Sequence, residues 1–207
     1  MIIRVSFAAC AIALTAWGAN RAPLPPLACD TFAAARSIAA MQSAIGSKDA
    51  TLDTVPLGAS EGDMVPATVF FPDVPNRRIE VVWRDGNPAK GPRYVRLRRR
   101  TTEWRTKEGV SIGTSLQRLE QLNGRSFHLA GFGFDYAATV TSWDGGRLHA
   151  SFDAPCQVIV RVDSLPSLNA QQRDLYRQVV GDRIFSSAHP AMQAMDPRVG
   201  ELLLEFP

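Results

Sequence analysis

Arg78-Ile79-Glu80-Val81-Val82-Trp83-Arg84-Asp85-Gly86-Asn87-Pro88, followed after Gly91 by Arg93-Tyr94-Val95-Arg96-Leu97-Arg98, decides the fold class. Ile79, Val81 and Trp83 alternate with polar or outward positions, and Val95 and Leu97 alternate with arginines, the period of two that marks a half-buried strand. Asp85 to Pro88 stops the first strand, because this Gly-Asn-Pro chemistry favours a turn and proline supplies no ladder donor.

The same signals predict strands over Ala67–Phe71, Phe127–Ala130, Ala138–Trp143, Arg147–Phe152, Gln157–Asp163 and Glu201–Phe206. Asp144-Gly145-Gly146 between Trp143 and Arg147 predicts a hairpin. Three helices are expected: Thr31 to Ile45, closed by Gly46; a second with Thr114 and Gln117 as a capping box, an apolar stripe of Leu116, Leu119 and Leu122, and an Asn123-Gly124 stop; and a third from about Asn169 to Gly181. Strands grouped with few short helices predict an α+β domain, an antiparallel sheet with helices packed on one face. Residues 37–46 and 115–124 echo each other, as do 67–69 with 138–140 and 78–83 with 147–152, so two tandem helix-plus-hairpin repeats, 31–100 and 110–163, are expected within a single domain over 30–207.

Arg4 followed by the apolar run Val5 to Ala16 predicts a signal peptide over 1–19, with Ala16-Trp17-Gly18 nearest to a small-x-small cleavage site and 20–29 as a linker. An uncleaved anchor would need roughly 20 apolar residues, and Gly18 and Asn20 interrupt the run before that length. Phe7-Ala8-Ala9-Cys10 is a poor lipid-attachment site, because the apolar run continues past the cysteine. A periplasmic or secreted chain without a membrane span in its mature form follows, and in an oxidising compartment Cys29 and Cys156 are expected to form a disulfide.

The 207 residues are 45% hydrophobic and 21% charged, enough for a real core. A net charge of +3 is too small to argue for nucleic acid as a partner. The basic segment around Arg96 and Arg98 is a solvated strand face or an anion-binding or partner surface. Gly131-Phe132-Gly133-Phe134-Asp135-Tyr136 with Trp104 and Trp143 is the densest aromatic group: either a flat surface for a protein, peptide or glycan ligand, or core packing around a kinked strand. No HExxH, SxxK or CxxC pattern occurs, and no catalytic residue, cofactor or metal is expected. His128 with Asp135 and Ser126 or Ser142, and the carboxylate pairs Glu103 with Glu120 or Asp135 with Asp144, are the groups a small hydrolase would have to bring together.

The residues Glu61-Gly62, Thr68-Val69-Phe70-Phe71-Pro72-Asp73, 79–85, Gly113-Thr114-Ser115-Leu116, Leu122-Asn123-Gly124, Phe127 and 131–136 together resemble an uncharacterised family of secreted bacterial proteins, over roughly positions 55 to 150. Family members more often carry Trp where this chain has Phe134 and glycine near Ala137. The resemblance implies export and brings no activity with it. The helix-then-sheet order also resembles the modules of outer-membrane assembly lipoproteins and β-lactamase inhibitor proteins, which adds a secreted inhibitor to the expected roles. A non-catalytic binding or envelope-associated module is the expectation, with a hydrolase as its alternative.

Overall fold

A computed structural model describes residues 22–56, 64–98, 101–133, 138–152, 156–163 and 168–207. The expected signal peptide lies outside these residues. No described helix is long and apolar enough to cross a membrane.

The structure is α+β. Its main sheet is six-stranded and antiparallel, built from β1 (Ala50–Pro56), β2 (Met64–Phe70), β3 (Ile79–Trp83), β4 (Pro92–Arg98), β7 (Gln157–Asp163) and β9 (Arg198–Glu205) in the order β1-β2-β3-β4-β9-β7. The chain's last strand is thus inserted between β4 and β7. The alternation of the opening stretch has its physical consequence here: Val81, Val95, Leu204 and Val158 form one row across four strands, and Leu97, Leu202 and Val160 the next. All seven are buried and merge with the buried side chains of the helices into one core. The opposite phase forms the outer face, where Glu80, Arg96 and Leu203 share a row and Arg98, Glu201 and Arg161 share another.

A second, three-stranded sheet has the order β6-β5-β8, from β5 (His128–Ala130), β6 (Val140–Ser142) and β8 (Ile184–Ser186). It is tied to the first where Val162 N–H donates to the Ala138 carbonyl at 3.0 Å.

The expected first helix is two helices, α1 (Cys29–Ala33) and α2 (Ile38–Ile45). Arg36 Nη1 takes the carbonyls of Ala33 and Ala35 at 2.6 and 3.0 Å, and Ser37 restarts the helix by accepting from Ala40 N–H at 3.0 Å. In α3 (Leu116–Asn123) the cap is Ser115, one residue later than the sequence suggested; its Oγ accepts from Arg118 N–H, while Thr114 Oγ1 accepts from Ser111 N–H. The echo between 37–46 and 115–124 is therefore real at the level of the helix: each has a serine N-cap, eight helical residues and a left-handed glycine at its end, with φ of 68° and 82°.

The echo stops there. Arg78–Trp83 supplies β3, but Arg147–Phe152 is a helix, α4, and not the second strand of a hairpin. Asn123 is the cause. Its buried side chain donates to the carbonyls of Arg125 and Trp143, at 3.1 and 2.9 Å, and accepts from Leu148 N–H at 3.2 Å, so it satisfies a free donor at the start of α4. Leu148 and Phe152, four apart, then bury the same face of the helix. The third expected helix is α5 (Ala170–Arg177), with a complete Asn169/Gln172 capping box; it ends before Gly181. β1, β8 and α6 (Pro190–Met195) carry no expectation from the sequence. In α6 the His189 ring accepts from Ala191 N–H at 3.1 Å and Pro190 opens the helix.

Candidate functional site

The aromatic group is resolved by burial. Trp104 is 0% exposed, Phe132 4% and Trp143 6%, so these rings belong to the core and form no open platform. Trp104 Nε1 donates to the Arg77 carbonyl at 2.9 Å and its ring lies 5.9 Å from that of Phe32. Trp143 packs between Phe127 and Phe152 at 5.0 and 5.6 Å. Phe134, Asp135 and Tyr136 lie outside the described residues. Gly131 shows what its glycine is for: a Cβ there would meet the Gly181 carbonyl oxygen at 2.4 Å and Phe185 at 2.8 Å. Gly131→Ala is therefore expected to cost about 2 to 3 kcal/mol, since backbone must shift to admit the methyl. Urea unfolding of the variant measures this, and an unchanged midpoint would reject the packing role.

Of the groups a hydrolase would need, His128 and Ser142 meet on one acid, Asp144, while Glu103 and Glu120 are engaged elsewhere. His128 Nδ1 lies 3.0 and 2.9 Å from the two carboxylate oxygens of Asp144, across the β5–β6 hairpin. Ser142 Oγ donates to that same carboxylate at 2.8 Å and accepts from Asp144 N–H at 3.0 Å. The bond from His128, then that from Ser142, holds the Asp144 carboxyl below its usual pKa. The serine is thus spent on the acid and not on the histidine, whereas an activated nucleophile needs its base within hydrogen-bond reach. Glu103 accepts from Asn76 Nδ2 and Arg77 Nε; Glu120 accepts from Ser187 Oγ and, at 3.0 Å, from Gln193 Nε2. Among the described residues, no group of three or more His, Cys, Asp or Glu side chains could hold a metal ion.

Arg93 of β4 is exposed, but Arg96 does not lie on a solvated face. Arg96 is 5% exposed. Its guanidinium meets Glu80, directly opposite on β3, with both Nε and Nη2 at 2.9 Å from Oε2, and Nη1 donates to the Pro56 carbonyl. Burial pushes its pKa down, and Glu80 acts against that shift. Arg78 reaches Asp53 at 3.3 Å and Glu80 at 3.6 Å.

Beside these side chains is a cavity of about 390 Å³, lined by Pro72, Pro75, Arg78, Glu80, Arg96, Arg98 and Thr101. That volume lies within the range of small-molecule sites. Two of its arginines, Arg96 and Arg98, are the pair singled out from the sequence. Arg78, Glu80 and the Pro72/Pro75 wall were missed as site residues, although the outward phase of the opening alternation already carried Glu80. The wall is fixed from behind: Thr101 Oγ1 donates to the Arg78 carbonyl at 3.0 Å and Glu103 N–H to the Asn76 carbonyl at 3.1 Å.

Compared with known proteins, the chain matches no family model, no curated sequence and no solved structure, so its function rests on its own residues.

Proposed function

We propose that the chain is a non-catalytic binding module that works outside the cytoplasm, with the cavity on the outer face of β3 and β4 as its binding site. The observation that carries this is a rigidly backed, arginine-lined cavity of about 390 Å³, while His128 and Glu120 are committed to pairs elsewhere. Compartment is part of the same proposal. It is supported by the Cys29–Cys156 disulfide, a bond that persists in oxidising compartments, and by the basic and apolar character of 1–19. Kinship with the secreted bacterial family belongs with it.

Hydrogen exchange on the mature protein, with ligands drawn from panels of small metabolites, peptides and glycan fragments, tests the proposal. A ligand is expected to protect amides of 79–83 and 92–98. Protection confined to the β5–β6 hairpin, or ester or glycoside turnover abolished by His128→Gln, would replace the module with a hydrolase.

A further inference from the structure

Among the described residues no acid is paired with Arg98, a cation of the cavity. Each neighbour on the outer face has an acid: Arg96 has Glu80, Arg78 has Asp53 and Glu80, and Arg161 has Glu201 at 3.3 Å. Glu201 is the register partner of Arg98 across β4 and β9, yet it is Arg161 from the far side that it engages. Arg98 Nε is buried and has no hydrogen-bond partner among the described residues. Arg96 stands two residues away on the same face and repels it, since both are cations. A charged donor withdrawn from water without an acceptor is costly, and proteins keep such groups where a ligand supplies the acceptor.

Resting on the binding-module reading, we infer that the Arg98 guanidinium takes an oxyanion, the carboxylate or phosphoryl group of a small ligand, in the cavity between Arg96, Arg78 and the Pro72/Pro75 wall. A guanidinium presents parallel N–H donors matched to two oxygens of such a group, which a lysine would not. Glu80 limits the charge the site accepts by occupying Arg96. The proline rings give an apolar surface against which a flat or aliphatic body can lie, so a carboxylate with such a body should bind better than a bare one.

The experiment titrates the full mature protein with acetate, benzoate and inorganic phosphate at constant ionic strength, with chloride as the control, and follows the arginine Nε–H resonances. The Arg98 resonance is expected to move saturably with oxyanions and not with chloride, and benzoate is expected to bind more tightly than acetate. A preference for phosphate over both would identify the phosphoryl group as the source. Arg98→Met should weaken binding at least about tenfold, while Arg93→Ala, at an exposed residue outside the cavity, leaves it unchanged.

Without oxyanion, Arg98→Met is expected to melt no lower than the parent, because it removes a half-buried cation whose buried Nε has no acceptor among the described residues. Equal weakening by Arg98→Met and Arg93→Ala, no movement of the Arg98 resonance, or a lowered melting point of Arg98→Met without ligand would each overturn the oxyanion site. These results leave the binding module standing if hydrogen exchange still maps an uncharged ligand to 79–83 and 92–98. The module itself falls only by the exchange and turnover results given for it.

Discussion

Replacing Cys29 and Cys156 together by serine is expected to lower stability by about 3 to 5 kcal/mol and the melting point by about 6 to 20 °C. The two cysteines are 127 residues apart in sequence, with Cα atoms 5.6 Å apart in the fold. Breaking the bond frees a loop of that length in the unfolded chain, and the entropy released is near the top of what one cross-link supplies. Its place in the native state adds to this. α1 has only five residues, too few to hold a helix by itself, and buries Cys29 and Phe32. Around it, Leu27 N–H donates to the Arg105 carbonyl at 2.8 Å, and an exposed Asp30–Lys107 pair at 3.0 Å contributes little. The disulfide therefore fixes α1 to Cys156, the residue before β7.

Urea unfolding of the parent with and without reductant, beside the double variant, measures the effect. Reduced parent and double variant should coincide, and reductant should not change the variant. A difference under about 1 kcal/mol would mean that the unfolded chain is already restricted near these residues and that loop closure is not what the bond supplies.

What the sequence made legible follows the range of the interactions involved. Period-two alternation located β3, β4, β7 and β9, because burial on one face of a sheet is written into every second residue. Helix ends were also legible, since Gly46 and Asn169 act on atoms three or four residues away, although the cap of α3 is Ser115 and not Thr114. Arg147–Phe152 was not, because its apolar positions suit either period over six residues and the deciding contact comes from Asn123, 25 residues back. β1 was silent for the opposite reason: as an edge strand with Thr51 to Thr54 exposed, it has no buried face to announce itself.

The site divides in the same way. The arginine alternation was visible, but which arginine has no acid among the described residues depends on Glu201 choosing between Arg98 and Arg161 across two strand pairs. The aromatics left two readings open, because a composition of Trp, Phe and Gly reads alike for a platform and for a core, and burial places Trp104, Phe132 and Trp143 in the core.

That last ambiguity gives the second large effect. Trp104→Ala is expected to cost about 3 to 5 kcal/mol, the range for emptying a fully buried tryptophan site. Trp104→Phe should cost less, about 1 to 3 kcal/mol, since the ring is largely kept but the Arg77 carbonyl loses its donor. The consequence reaches the cavity. Glu103, the preceding residue, holds Arg77 Nε, and Thr101 holds the Arg78 carbonyl, so 101–104 form the brace behind the segment that carries Arg78. Loosening Trp104 should therefore weaken ligand protection at 79–83 although the tryptophan touches no ligand. Denaturant unfolding and hydrogen exchange on both variants separate the two roles. A platform residue would lose binding with stability intact, whereas a core brace loses stability first and binding in proportion to it, with Trp104→Phe intermediate in both.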